Sequence, residues 1–410
     1  MSSAETTLEL SLTDVGFGGD AVGRTADGKA VFVAFGMTGE RVRVRLESEQ
    51  ARFARGALLE VLEPSPQRTA PQCPYYTTCG GCVYQHMEYP VEVASKKRQL
   101  AELLHRVGGL AAIPEPEVVC ASPKAYGYRN KLRVEPIVTG EGADRHSVTY
   151  GYCRRDNVTF FELTACPLAA APLNQLLARA PVTPEGRRNA TRPKPSPLTL
   201  RLTADGSTAL FFGRAPRRVP WLHERLLGRP VSVPLGSFWQ VNPEVSEALV
   251  RQVADWFTAS PTRTLVDAYS GVGTFSLAIG AAAHTRFLIE SDDQALEAAE
   301  FNHGQWDGLP CHCRLGQTEN VLPRLLADAH LKRTTVLLDP PRQGCGEPVI
   351  KTLCSFAVGQ IVYVSCNPAT LARDLKRLVG SGGYTLRRLA LFDMFPRTAH
   401  FETAVLLNRA

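Results

Sequence analysis

Two short apolar runs in this chain end in residues that can do chemistry. Leu337-Leu338 runs into Asp339-Pro340-Pro341-Arg342, and Tyr363-Val364-Ser365 runs into Cys366-Asn367-Pro368. An apolar run that stops abruptly at polar and Pro-containing residues is the pattern of a buried parallel strand. In an open α/β sheet the loops at the carboxyl ends of such strands form the ligand crevice, so Asp339 and Cys366 are expected to look into one pocket. A thiol held there is a candidate nucleophile. The alternative for an arbitrary cysteine is an inert buried thiol.

A glycine-rich turn lies upstream. Thr264-Leu265-Val266-Asp267-Ala268 leads into Tyr269-Ser270-Gly271-Val272-Gly273-Thr274-Phe275, a strand, a turn and the start of a helix. Glycines there let the backbone approach a ligand closely. Only two glycines stand where a dinucleotide fingerprint has three, and an acidic residue closes the strand, which favours S-adenosylmethionine over NAD. Arg286-Phe287-Leu288-Ile289 then ends in Glu290, placed to accept both ribose hydroxyls.

Cys73, Cys79 and Cys82 form a Cys-x5-Cys-x2-Cys run containing Gly80-Gly81, and Cys166, like Cys73, is followed by proline. Four thiolates of this kind hold zinc or an iron–sulfur cluster, and spacing does not separate the two. Eleven cysteines, an odd number, fit metal ligands plus single thiols better than structural disulfides. Cys311-His312-Cys313 lacks a second pair, and Cys120, Cys153 and Cys354 have no motif around them, so these read as ordinary thiols.

The elements that must position these groups need more than one domain. A chain of 410 residues exceeds one ordinary core, so two or three domains are expected. The 44% hydrophobic and 21% charged fractions are those of a globular protein. Met1–Glu5 lacks a cationic region followed by an apolar run, and no apolar stretch is long enough to span a bilayer. A cytoplasmic protein without a membrane partner, and a monomer, is expected. Net charge is −2 over residues 1–70, +9 over 71–235 and −1 over 236–410. Excess positive charge confined to the middle suggests a polyanionic partner, with a scattered solvated face as the alternative.

Residues 8–63 read as a small β-barrel: turn signals at Gly16–Asp20 and Ala26–Gly28, a strand at Val31–Phe35, and strict alternation in Arg41-Val42-Arg43-Val44-Arg45-Leu46. Arg41, Arg43 and Arg45 share one face that would suit phosphates. Residues 90–108 start at a proline and end at glycine with apolar residues at helical spacing, an amphipathic helix. Tyr126-Gly127-Tyr128-Arg129-Asn130-Lys131-Leu132-Arg133-Val134 interleaves aromatic and basic side chains, which can stack on unpaired bases and neutralise phosphates. Residues 181–197 read as a loop or insertion. The catalytic domain opens near Gly236-Ser237-Phe238-Trp239-Gln240-Val241-Asn242-Pro243, followed by a helix.

Residues 8–63 resemble the TRAM domain, an oligonucleotide-binding-type barrel. Nearly the whole chain resembles the class I RNA (uracil-5-)-methyltransferase family, in its TRAM-containing, iron–sulfur branch acting on 23S ribosomal RNA. Besides the cysteine run, Tyr-Arg-Asn-Lys, Phe-Trp-Gln-Val-Asn and Asp-Pro-Pro-Arg, the resemblance rests on Ser-Cys-Asn-Pro-Ala-Thr-Leu-Ala-Arg-Asp (365–374) and Asp393-Met394-Phe395-Pro396-Arg397-Thr398-Ala399-His400-Phe401-Glu402. It implies a Rossmann-like α/β methyltransferase domain over 236–410, a TRAM-like barrel over 1–65, and a central α+β RNA-binding domain over 66–235 whose helix 90–108 packs on the catalytic domain. It implies Cys366 as nucleophile and Glu402 as general base. Cofactor contacts are implied from Gln240, Tyr269, Glu290 and Asp339, then Gln317 or Thr318, and Thr274. A [4Fe–4S] cluster on Cys73, Cys79, Cys82 and Cys166 is implied in place of zinc.

C5 of uracil is too poor a nucleophile to attack a sulfonium methyl. A thiolate adding at C6 leaves an enolate whose C5 is nucleophilic, and a base must later remove the C5 proton so that the thiolate can leave. Arg342 after Asp339-Pro340-Pro341 replaces the aromatic residue expected for adenine amino methylation. No cysteine stands within 339–342, as a cytosine-5 enzyme would need, and Cys345 nearby reads as a bystander. Uracil is therefore favoured, with a tRNA uridine or a non-catalytic RNA-binding or RNA-folding role as alternatives.

Overall fold

A computed structural model of the chain describes residues 6–139, 147–260, 262–309, 311–328 and 331–410. Met1–Glu5, read above for a targeting signal, lies outside the described residues. Two compact units divide the chain: Met1–Gln99 with Gly151–Glu162 and Phe395–His400, and Leu100–Tyr150 with Leu163–Met394 and Phe401–Ala410.

The first unit begins with β1 (Thr7–Val15), β2 (Ala21–Arg24), β3 (Ala30–Val33), β4 (Arg41–Glu49) and β5 (Phe53–Glu63), closed into a barrel in the order β1-β2-β3-β5-β4. Alternation sends Val42 and Val44 inward, where neither is exposed, and the intervening arginines outward. Those arginines are already paired. Arg41 bonds Glu9 at 2.8 Å and Glu63 at 2.8 Å, and Arg43 bonds Glu60 at 2.6 Å and Glu9 at 3.2 Å. Phosphates on this face would compete with three carboxylates at these two positions. At the β1–β2 turn Gly19 has φ +95, and a Cβ there would meet Val83 at 2.6 Å.

Helix α1 (Tyr89–Arg106) matches the predicted 90–108 span to within two residues, its part up to Gln99 belonging to the first unit. There Glu92 and Lys96, both fully buried, pair at 2.7 Å, and Glu92 also accepts the backbone N–H of Arg397 at 2.6 Å. That fixes the Phe395–His400 loop.

In the second unit, β6 (Val118–Cys120) is followed by β7 (Lys131–Thr139) and β8 (Ser147–Cys153), whose last residues pair with β9 (Phe160–Glu162) inside the first unit. Then come α2 (Ala171–Arg179), α3 (Pro184–Ala190), β10 (Leu198–Leu202) and β11 (Thr208–Phe212), with β11-β10-β7-β8 adjacent in that order. The predicted loop 181–197 therefore holds a short helix. Thr183 starts it by accepting the Gly186 N–H on its side chain, with Pro184 at the first turn. A hairpin, β12 (Leu222–Leu226) and β13 (Arg229–Val233), and α4 (Pro243–Ala259) lead into the main sheet.

That sheet holds β14 (Thr262–Ala268), β15 (Ala283–Glu290), β16 (Cys311–Leu315), β17 (Thr334–Leu338), β18 (Gln360–Ser365), β19 (Tyr384–Phe392) and β20 (Glu402–Arg409) in the order β16-β15-β14-β17-β18-β20-β19-β6. The pairings among β14 to β18 are parallel, and β20 runs antiparallel between β18 and β19. Between them run α5 (Thr274–Ile279), α6 (Asp293–Trp306), α7 (Thr318–Ala327), α8 (Glu347–Phe356) and α9 (Pro368–Gly380). β17 and β18 are buried at every position, which is why both read as unbroken apolar runs. The strand order reverses at β14, and a crevice opens at the carboxyl ends of β14 and β17. This is the Rossmann-like α/β arrangement expected.

Candidate active site

Cys366 follows the last residue of β18 directly, and Asn367 caps α9 by accepting the Ala369 N–H at 3.1 Å. The thiol is thus held at a strand-to-helix corner. In the antiparallel pair β18·β20, Ser365 stands opposite Thr403, so the next step along both strands brings Cys366 and Glu402 together. Glu402 is 4% exposed, and its Oε2 has no hydrogen-bond partner among the described residues. Burial, then the Asp339 carboxylate, raises its pKa well above the ordinary range, while Arg342 pulls it down. Burial first, then Glu402 and Asp339, pushes the Cys366 thiol up to about 12, against the opposing pull of Arg342. The two strand ends picked from sequence therefore do meet. Burial and the neighbouring acids thus disfavour ionisation of both the thiol and Glu402.

Asp339 stands just past β17, with its N–H donating to the Ala268 carbonyl at 3.4 Å. Burial and then the Asp267 carboxylate push its pKa up to about 7. Burial does the same to Asp267, also to about 7, although Ser276 donates its N–H to Asp267 Oδ2 at 3.3 Å. Two carboxylic acids side by side, each resisting ionisation, suit a ligand that brings positive charge.

The glycine-rich turn is built as expected. Tyr269 takes φ +64 and Gly273 φ +88, and the Gly271 N–H donates to Glu290 Oε2 at 3.0 Å. Glu290 Oε1 accepts from the N–H groups of Ser291 (2.6 Å) and Asp292 (2.9 Å), so the carboxylate ties the ends of β14 and β15 together. Thr274 begins α5 beside this turn. Gln317 stands at the N-cap position of α7 without a side-chain capping bond, with Thr318 buried as the first helical residue, and a cleft of about 450 Å³ runs past Tyr269, Gln317, Glu319 and Pro341. Gln240 is 5% exposed, and its carbonyl accepts from Asn130 Nδ2 at 3.0 Å.

Gln240 Oε1, Asp267 Oδ1 and Ser270 Oγ are buried without hydrogen-bond partners among the described residues. Buried polar atoms left unpaired by the protein are normally completed by water or a ligand. Their acceptor chemistry fits the ammonium and hydroxyl groups of S-adenosylmethionine. Ser270 and Asp267 escaped selection from sequence because one reads as a turn residue and the other as a strand end.

The Tyr-Arg-Asn-Lys segment behaves differently from expectation. Tyr128 is 6% exposed, with the Arg129 guanidinium 5.8 Å from its ring centre, and Asn130 is spent on the backbone of Gln240 and Val241. The buried Tyr128 ring has no face for a base to stack on, while Tyr126, the other aromatic of the stretch, is half-buried. This segment positions the Gln240 loop.

The loop after Asp339 is strapped to α9. The Cys345 N–H donates to Tyr363 Oη (3.2 Å) and Asp374 Oδ2 (3.1 Å), the Tyr363 hydroxyl donates to the same Asp374 oxygen at 2.8 Å, and Asn367 Nδ2 donates to the Arg342 carbonyl at 3.1 Å. Cys345 is buried, with its thiol pushed up to about 12 by burial, whereas Cys366 is partly exposed, so access rather than acidity separates the two thiols. Asp374 and Tyr363 were inside quoted motifs, but no spacing signal told their role.

Cys73, Cys79 and Cys82 lie in the first unit and Cys166 in the second. The Gly81 N–H donates to Cys79 Sγ at 3.4 Å, which suits a thiolate, but among the described residues no group of three or more His, Cys, Asp or Glu side chains is arranged to hold a metal ion.

Residues 322–410 match the sequence profile of the tRNA (Uracil-5-)-methyltransferase family and residues 5–59 that of the TRAM domain. An RNA methyltransferase of Nostoc sp. is 33% identical, over 98% of this chain and 96% of its own. The 23S rRNA (uracil(1939)-C(5))-methyltransferase RlmD of Chromohalobacter salexigens is 31% identical, over 98% of this chain and 89% of its own. Among solved structures, the tRNA (uracil-54, C5)-methyltransferase of Pyrococcus abyssi, in complex with S-adenosyl-L-homocysteine, superposes with a TM-score of 0.72 at 23% identity, over 97% of this chain and 99% of that one.

Proposed function

Because the chain belongs to the TRAM-containing RNA (uracil-5-)-methyltransferases, enzymes dependent on S-adenosylmethionine, we propose that its substrate is a uridine of 23S ribosomal RNA and that Cys366 and Glu402 carry the reaction. The observation that carries the roles is the β18·β20 register, Ser365 opposite Thr403, which sets a thiol and an acid at adjoining strand ends.

S-adenosylmethionine supplies the methyl group. In this reading Gln240, Tyr269, Glu290, Asp339, Gln317 and Thr274 hold it in the crevice, with Ser270 and Asp267 added to that set. Cys366 adds to C6 of uracil as its thiolate, its proton having passed to water, so that the C5–C6 double bond opens and charge passes to the O4 enolate. Positive charge from Arg342 favours the thiolate, since it pulls the thiol pKa down. C5 would then take the methyl group as its bond to the sulfonium sulfur breaks, leaving S-adenosylhomocysteine. Glu402, by then ionised, accepts the C5 proton, the double bond re-forms, and the Cys366 sulfur leaves. A base held in a dry pocket with a raised pKa is well matched to taking a weakly acidic carbon-bound proton.

The rRNA assignment is supported by the relative that is 31% identical over nearly the whole chain. A tRNA uridine is the second reading, favoured by the name of the profile matched at 322–410. Mapping 5-methyluridine in both RNA pools from cells lacking the gene separates them: a site lost from 23S rRNA supports the proposal, and one lost from tRNA overturns it. The assembled thiol and acid weigh against a purely RNA-folding role. The cluster is proposed on the cysteine spacing and the Gly81 N–H to Cys79 contact, and its choice over zinc on the family resemblance. Iron and acid-labile sulfide in anaerobically purified protein support it, and stoichiometric zinc overturns it.

A further inference from the structure

The first unit contains a cavity of about 590 Å³ between the barrel and the cysteine-rich segment, whose walls include Phe32, Phe35, Tyr76, Glu47 and Arg155. Its size is that of a small-ligand pocket. Two aromatic side chains come from the edge of β3 and the residues after it. Phe35 meets Tyr76 edge to face at 5.0 Å, and the Arg155 guanidinium lies 4.3 Å from the Phe35 ring centre. The segment carrying Arg155 is anchored here by its backbone N–H, which donates to the Thr78 carbonyl at 3.2 Å.

Charge in the pocket is selective. Arg55 is paired with Asp20 at 2.7 Å, and Arg68 is spent on Glu40 and the Phe35 carbonyl. Among the described residues Arg155 has no carboxylate partner, and Glu47 makes no ion pair or hydrogen bond. One cation without a carboxylate partner, one carboxylate without a cation partner and aromatic walls do not suit a polyphosphate, which Glu47 would repel. They suit one nucleotide: its base against the aromatic wall, its phosphate on Arg155, and its donor edge toward Glu47. Guanine presents N1–H and N2–H side by side, a match for both oxygens of a carboxylate. Uracil offers a single N–H.

We propose that this pocket takes an unpaired guanine nucleotide of the RNA substrate, distinct from the uridine that is methylated. The proposal rests on the reading of the chain as an RNA methyltransferase. It adds a specificity element remote in sequence from Cys366, formed by the barrel together with the segment that carries Cys73, Cys79 and Cys82.

The test uses the full-length protein and 5′-labelled trinucleotides UGU and UUU, followed by fluorescence anisotropy. UGU is expected to bind at least about tenfold more tightly than UUU, the lower end of what a hydrogen bond to a charged group contributes. Glu47→Gln should erase that preference, and Arg155→Ala should weaken UGU by a similar factor. Equal binding of the two trinucleotides, or unchanged UGU binding by both variants, overturns the pocket. Methylation of full-length rRNA is measured alongside, with Cys366→Ala as control. If wild type methylates rRNA while the trinucleotides bind alike, only the pocket fails. If UGU is preferred but no RNA is methylated, only the enzymatic reading fails.

Discussion

The carboxyl group of Glu402 opposes ionisation of the Cys366 thiol, and the two sit one strand step beyond the paired residues Ser365 and Thr403. A nucleophile kept protonated by its neighbours is protected from adventitious electrophiles until substrate binds. Alkylation of the free enzyme by iodoacetamide at neutral pH should therefore leave the Cys366 peptide unmodified by mass spectrometry. Glu402→Gln removes a charge that raises the thiol pKa, so alkylation at Cys366 should quicken, about tenfold for each pKa unit recovered. Equal rates in the two proteins would mean that Glu402 does not govern the thiol.

Asp339 and Asp267 are both pushed up to about 7 by burial. S-adenosylmethionine carries a sulfonium and an ammonium, so it favours the ionised carboxylates. Its affinity should rise as pH increases through about 7 and level off above. Because the Asp267 carboxylate also raises Asp339, Asp267→Asn should move the midpoint down. Calorimetric titrations across pH 5.5–8.5 read this directly.

The same two acids make the unliganded fold pH-dependent. Between the ordinary aspartate value of 3.8 and about 7 the unfolded chain releases protons that the folded chain retains. Stability to urea should thus fall as pH rises over that window and stay level above it. Asp339→Asn should show a smaller fall, and a stability that climbs across the window would contradict the assignment.

Asp374 is buried and accepts from Tyr363 Oη, the Cys345 N–H and Arg373 Nε. Asp374→Ala orphans two buried donors and should cost about 1–3 kcal/mol for each. By loosening the Asp339–Cys345 loop it should lower kcat more than it raises KM for RNA. Tyr363→Phe, which leaves the Cys345–Asp374 bond intact, should be milder in both.

How much was legible in the sequence differed by distance along the chain. Local signals worked: the runs into Asp339 and Cys366 are strands because both faces are buried, and the Gly271–Gly273 turn is a turn because its backbone needs positive φ. Long-range pairings left no trace. Nothing in Arg41-Val42-Arg43 indicates that Glu9, Glu60 and Glu63 from other strands neutralise its face. Nothing in Tyr-Arg-Asn-Lys shows that its aromatic ring is buried and its asparagine spent on a loop more than a hundred residues away. The placement of Glu402 came from a family resemblance, because an acid that begins a strand looks like any surface carboxylate until its partner strand is known.

The central claim is that Cys366 acts before methyl transfer and Glu402 after it. Each variant is incubated with substrate RNA and S-adenosylmethionine, denatured, and run on a gel that resolves protein–RNA adducts. Cys366→Ala should methylate nothing and show no shifted band. Glu402→Gln should accumulate a denaturation-resistant band carrying the new methyl group, with turnover slowed by about 10²–10⁴-fold, the usual contribution of a general base. A resistant band with Cys366→Ala, or wild-type turnover by Glu402→Gln, would contradict it.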